Sequence, residues 1–226
     1  HLVNTETGEL TKVYSSADEL DGVTYVKCGN RRAAVCPTCS HEYKGDAWHL
    51  LLCGLAGGKG IPESVSERPA TFATLTAPSF GRVHGRRDGT HRCHSTIRGP
   101  RVCPHGLPRT CQASHAEDDP LLGQPLCGEC YDYASHVIWQ WWAPDLWRRF
   151  TIALRRLVAK TLDVSASRLG DLATVQYAKV AEYQLRGVIH FHALVRLDGP
   201  KTPDGFAPAP APDSLDARRL ADLVRQ

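Results

Sequence analysis

Apolar residues recur along this chain with two different periods. Over residues 188–197 they alternate, with Ile189, Phe191, Ala193 and Val195 on one parity and His190 and His192 on the other. A period of two belongs to a strand with one buried face, so this segment is predicted to be a strand. Residues 175–183 are predicted to be its hairpin partner. Phe72-Ala73-Thr74-Leu75-Thr76-Ala77, β-prone and bounded by Pro69 and Pro78, predicts another strand. Helical spacing occurs in residues 40–55, where Tyr43, Ala47, Leu50 and Leu51 share a face and Gly54, Gly57 and Gly58 stop the helix. Residues 131–142, rich in aromatics, predict the start of a helix. A separate helix is expected after Pro144, from Asp145 to Leu162, with Leu146, Phe150, Leu154, Leu157 and Val158 on its apolar stripe. Ser214 is expected to cap a last amphipathic helix carrying Leu215, Leu220 and Leu223. Residues 200–212, with their Ala-Pro alternation, read as a stiff linker. No internal repeat is present, and the fold class is α+β.

Two stretches carry no such pattern. Residues 1–27 are polar turns ending in the β-prone run Val23-Thr24-Tyr25-Val26, and residues 28–39 make a compact loop. Residues 81–130 are rich in Gly, Pro, Arg, Cys and His. A structureless stretch of that length inside a folded domain needs a staple, and metal is the obvious one. The chain therefore divides into an N-terminal region, residues 1–67, and a core, residues 68–198, interrupted by the Cys/His-rich insertion 81–130. Residues 199–226 form a Pro/Ala-rich linker and a terminal helix.

The chain has nine cysteines. Their number is odd, several stand at metal-ligand spacing, and no signal peptide precedes them, so zinc in a reducing cytoplasm is expected over a disulfide framework. Cys28, Cys36 and Cys39 include a Cys-x2-Cys knuckle, with His41, His49 and Cys53 as candidates for a fourth ligand. Cys103, Cys111, Cys127 and Cys130 are expected to complete a second site, with Cys93, His94, His105 and His115 in reserve. Cys53 and Cys93 read as buried thiols. One or two structural zinc ions are expected.

Composition adds limits. The net charge of +3 excludes a histone-like polycation. Arginines nevertheless cluster at 82, 86, 87, 92, 98 and 101, and again with Lys160 at 148, 149, 155 and 156, as phosphate-neutralising groups do. Trp139, Trp141, Trp142 and Trp147 are expected in the core rather than as stacking platforms for bases. No apolar run approaches the roughly 20 residues of a membrane span, so no membrane association is expected. The absence of any Met suggests a trimmed fragment.

The densest chemistry lies between residues 182 and 192. In a strand, His190 and His192 point to one side. If Leu185-Arg186-Gly187 is a three-residue hairpin loop with Gly187 left-handed, Glu182 sits opposite His190 on the same face. Two imidazoles and one carboxylate, with open positions left over, suit Mn²⁺ or Mg²⁺.

The segment His190-Phe191-His192 resembles the histidine motif of the HUH superfamily of rolling-circle replication initiators and relaxases. Phe72-Ala73-Thr74-Leu75-Thr76 is similar to the initiators' upstream strand motif. The wider pattern looks closest to initiators of actinobacterial plasmids and integrative conjugative elements. It comprises Cys36-Pro37-Thr38-Cys39, Ala77-Pro78-Ser79-Phe80-Gly81, Cys103-Pro104-His105-Gly106, Cys127-Gly128-Glu129-Cys130-Tyr131-Asp132-Tyr133 and Arg186 through His192. The resemblance implies a five-stranded antiparallel sheet with helices on one face and a metal on the other. It also implies a tyrosine that attacks a single-stranded origin DNA phosphodiester, with a host helicase as a further partner. In initiator order that tyrosine lies downstream of the histidines, whereas all seven tyrosines here are upstream. The nucleophile is thus expected outside the chain, and covalent nicking by this segment is not expected. A relaxase order would instead use Tyr14 or Tyr25. The competing readings are a zinc-stabilised origin-binding module without chemistry and, from the ligand set alone, a non-haem iron oxygenase.

Overall fold

Two units of unequal size make up the chain, His1–Gly54 and Leu55–Gln226, and the computed structural model describes residues 2–86, 92–200 and 209–226. In the first unit β1 (Leu2–Val3) pairs antiparallel with β2 (Leu10–Thr11), and helix α1 (Pro37–Ala56) begins there. The β-prone run at residues 23–26 forms no strand: Val23, Tyr25 and Val26 stay exposed. Strand propensity is realised only against a partner and a buried face. Residues 55–67, grouped by sequence with the N-terminal region, fold within the second unit, where the short 3₁₀ turn Glu63–Glu67 buries Val65.

The second unit is built on an antiparallel sheet of β3 (Ala70–Leu75), β4 (Thr174–Tyr183) and β5 (Ile189–Asp198), in the order β3-β5-β4. Five strands were expected in one sheet, and among the described residues this sheet has three. Among its described residues, the long segment between β3 and the next helix contributes only isolated bridges such as Val83 with Pro125 and His94 with Cys111. Its glycines, prolines and ligand-rich turns interrupt each run before it reaches strand length.

Phe191, Ala193, Val195 and Leu197 of β5 are buried as the alternation predicts. They pack with Trp147, Leu154, Val158 and Ala159 of helix α2 (Tyr133–Thr161) and with Leu220 and Leu223 of helix α3 (Ala217–Arg225). Both helices thus cover one face of the sheet. No described helix is long and apolar enough to cross a membrane.

Helix α2 runs unbroken for 29 residues with Pro144 inside it, where a break was expected. Proline costs the Gln140 carbonyl its helical donor, but tertiary bonds hold the turn on either side. Trp139 Nε1 donates to the Ile189 carbonyl (2.9 Å). The Gln140 side chain donates to the Gly187 carbonyl and accepts from the Ile189 N–H, both at 2.8 Å. Ala143 and Trp147 are buried immediately around the proline. Of the tryptophans expected in the core, Trp147 is buried and Trp139 half-buried, whereas Trp141 and Trp142 are exposed.

Helix α3 is capped by Asp216, which accepts from the Arg219 N–H (2.6 Å), and not by Ser214; Leu215 is buried in the turn before it. Asp216 wins because its carboxylate stands three residues before that free amide. The expected linker falls largely on residues 201–208, outside the described residues, but Gly199 donates to the Ala209 carbonyl (2.8 Å) where the chain resumes.

The insertion meets the β4–β5 loop at Gly123. There φ is +83° and an added Cβ would collide with the Leu185 carbonyl. Gly106 has a similar φ of +79° with open space around it. Gly106→Ala is expected to cost about 1–2 kcal/mol, the left-handed backbone alone. Gly123→Ala adds a backbone collision, so its loss in thermal or denaturant unfolding should be clearly greater. Equal losses for the two variants would contradict the close approach.

Candidate metal centre

Hairpin geometry sets the register of the site. Gln184 N–H donates to the Val188 carbonyl (2.9 Å), Gly187 N–H to the Gln184 carbonyl (2.8 Å), and Gly187 adopts φ +74°. This is the expected three-residue loop with glycine in the left-handed position. It pairs Glu182 with His190 and Val180 with His192. Glu182 Oε2 lies 3.1 Å from His190 Nε2 and 3.0 Å from His192 Nε2, and the two rings stand 4.5 Å apart. The hydrogen bonds from His190, and then His192, hold the Glu182 carboxyl below the ordinary carboxylate range. All three lie on the sheet face opposite α2 and α3.

Two neighbours from β3 were not foreseen. Thr74 pairs with His192 across the sheet, and its Oγ1 is 3.1 Å from His192 Nδ1. Phe72 stacks on the same ring, with centroids 5.4 Å apart and planes at 21°. A threonine hydroxyl can donate to or accept from a ring nitrogen. It therefore holds the ring whether Nε2 carries a proton or a ligand. Both residues belong to the predicted strand, but sequence did not say that this strand pairs with β5.

The segments between the strands pack together against the hairpin loop. Ala77, Phe80, Tyr131 and Val188 form a second small core, bringing together three of the sequence motifs. Asp132 N–H donates to the Phe80 carbonyl (2.7 Å). Arg186 donates to the carbonyls of Pro78 (3.3 Å) and Ala77 (3.4 Å) and lies 5.5 Å from the Phe80 ring centre.

Tyr177, edge-on to Trp147, and Tyr183 have the strand parity of the helix-covered face. The Tyr131 hydroxyl is 3.2 Å from His136 Nδ1. In the first unit, Tyr14 bonds Glu19 and Tyr25 bonds Asp21.

None of the cysteines is joined in a disulfide. Their grouping differs from the expected one. Cys103, Cys127 and Cys130 come together with His105, while Cys111 joins His84, Cys93 and His115. Cys93, expected to be a plain thiol, is thus among potential ligands, and His84, unmarked by any spacing in the sequence, is its partner. Cys28, Cys36 and Cys39 form a third group, with Cys28 and Cys39 Sγ atoms 3.7 Å apart. None of His41, His49 and Cys53 belongs to it among the described residues.

A family model described as "Replication initiator protein, pSAM2" (RepSA) matches residues 1–226 of this chain. A replication initiator protein from Streptomyces ambofaciens is 45% identical over 221 residues, which is 97% of this chain and 44% of that protein. This chain thus spans less than half the length of the relative it matches. No solved structure matches it.

If Thr74 orients His192, its loss should be felt by any cation held there. Thr74→Val is expected to weaken Mn²⁺ binding, measured calorimetrically, by roughly ten- to hundredfold, with Thr74→Ser retaining most of it. Unchanged affinity in Thr74→Val would remove the positioning role.

Proposed function

This chain belongs to the pSAM2 replication initiator protein family, and from that premise we propose that it is the DNA-processing segment of an HUH-type initiator. In this reading the segment binds single-stranded origin DNA against a divalent cation held by Glu182, His190 and His192. One observation carries it. A carboxylate oxygen and two imidazole nitrogens converge on the open face of a sheet whose other face is closed by α2 and α3.

The donor set fits Mn²⁺ or Mg²⁺, since three protein ligands leave positions for water and phosphate oxygen. When bound, the cation would supply Lewis-acid polarisation of the scissile phosphate, which a phenol of pKa about 10 needs as a nucleophile near neutral pH. Strand transfer would join a tyrosine oxygen to the 5′ phosphate and release the 3′ hydroxyl. That free end is what a rolling-circle mode of plasmid or element replication would extend. We assign the nucleophile to neither Tyr177 nor Tyr183, which have the parity of the helix-covered face.

The chain's own residues supply position and charge. Thr74 and Phe72 fix the His192 ring, and Arg186 pins the hairpin that carries Glu182 to the end of β3. Arg92, Arg98 and Arg101 in the insertion and Arg155, Arg156 and Lys160 on α2 are exposed, as are Arg148 and Arg149, which pair with Asp145. Arg87 lies outside the described residues.

In the intact initiator, His190→Ala, His192→Ala or Glu182→Gln is expected to reduce divalent-dependent cleavage of a single-stranded origin oligonucleotide by at least about a hundredfold. Denaturing electrophoresis reads the cleavage. Binding of the oligonucleotide should persist at low salt and fall steeply as salt rises, because arginine contacts displace counterions. Wild-type cleavage by all three variants would overturn the metal reading. Intact binding with no cleavage by the unaltered initiator would leave a DNA-binding module.

A further inference from the structure

The insertion has an interior of an unusual kind. Among the described residues from 82 to 130, the buried side chains are Cys93, Cys103, His115 and Cys127, with no buried aliphatic or aromatic residue beside them. Thiols and an imidazole cannot replace a hydrophobic core by packing alone, and a buried imidazole is costly unless its polar atoms are satisfied. What these residues share is the ability to ligate a soft or borderline metal.

We propose that the insertion binds two zinc ions at separate four-ligand sites, one formed by His84, Cys93, Cys111 and His115 and the other by Cys103, His105, Cys127 and Cys130. Within each set the ligand atoms lie within 4.8 Å of one another, and the sets share no residue.

The first site is assembled from distant parts of the chain. His84 sits on a ribbon in which its N–H donates to the Gln124 carbonyl (2.8 Å) and its carbonyl accepts from Gly123 (2.8 Å). Cys93 and Cys111 sit on another, closed by His94 and Cys111 exchanging backbone bonds at 2.9 and 3.0 Å. His115 Nδ1 bonds Asp119 Oδ2 at 2.6 Å, and Asp119 is itself held by the Leu121 N–H (2.9 Å). A carboxylate on the far ring nitrogen is the usual support of a histidine ligand. It leaves Nε2 facing inward, 3.1 Å from His84 Nδ1 and 3.5 Å from Cys111 Sγ. Two ring nitrogens and two sulfurs then converge. His94, whose Nε2 is bonded to the Val83 carbonyl at 2.8 Å, is not among the converging ligands.

The second site is a pair of turns. Cys103 opens and His105 lies within a turn closed by Gly106 N–H on the Cys103 carbonyl (3.0 Å). Cys127 and Cys130 have knuckle spacing, and His105 Nδ1 lies 3.3 Å from Cys130 Sγ and 3.7 Å from Cys127 Sγ. Two thiolates and two imidazoles, against three thiolates and one imidazole, make the sites chemically distinguishable.

The test counts metal and reads ligand type separately. Cys36→Ser with Cys39→Ser in the first unit removes the Cys28 group from the count. In that background, reduced protein is expected to hold about two zinc ions by mass spectrometry of the metal. His84→Ala with Cys93→Ser should lose one, and Cys103→Ser with Cys127→Ser the other. Should those variants fail to fold, the protein with both sites intact decides. Exchanged with ¹¹³Cd, it should give two resonances, one at the shift of two-sulfur and one at that of three-sulfur ligation. A single resonance, fewer than about one and a half ions per chain, or cysteines recovered as disulfides would overturn the proposal.

Discussion

Burial of Phe191, Ala193, Val195 and Leu197 against α2 and α3 is the constraint from which the arrangement of the second unit follows. A strand has only two faces. Once the odd positions of β5 are committed to the core, His190 and His192 have no alternative to the open side. A slip of one residue would bury two imidazoles and expose four apolar side chains, so the same free energy that stabilises the sheet orients the histidines. β5 is also the middle strand, which lets it receive Glu182 from β4 on one edge and Thr74 and Phe72 from β3 on the other. The proposed cation site is thus assembled from all three strands, with its histidines on the one whose register is most tightly specified.

The hairpin that presents Glu182 is held at several independent points. Gln140 and Trp139 grip its backbone from α2. Arg186 reaches the carbonyls after β3, and Gly123 brings the insertion against Leu185. These contacts also explain why α2 continues through Pro144. The turn that proline weakens is the turn most heavily bonded to the sheet. A long helix crossing the sheet and gripping the hairpin serves the site better than two short ones free to move apart.

Two ways of making an interior coexist in this unit. The sheet and its helices use apolar side chains, while the insertion between β3 and α2 places cysteine and histidine where other segments would place leucine and valine. Bound metal offers such a segment an interior without regular secondary structure, and it fixes loops with few residues. Through Gly123 the insertion bears on the hairpin loop three residues from Glu182, so its order bears on the proposed site as well.

Much of this was legible in the chain itself. The alternation of β5, the turn chemistry of Gly187 and the parity that sets Glu182 beside His190 are local properties. Each depends on a few neighbouring residues and on the fixed two-residue period of a strand. Other features depended on partners distant in sequence. No local pattern says that β3 lies against β5, so the contacts of Thr74 and Phe72 with His192 are not legible in the sequence. Nor could spacing sort the cysteines: Cys111 stands only eight residues from Cys103 yet turns away to His84, Cys93 and His115. At Pro144 propensity predicts a break because it counts a lost hydrogen bond and cannot see the tertiary bonds that hold the neighbouring turn. Sequence alone determined which faces are apolar and which carry chemistry, since that is written in periodicity. Which faces and ligands meet was decided only by the tertiary structure, because contacts between distant segments are selected by packing of the whole chain.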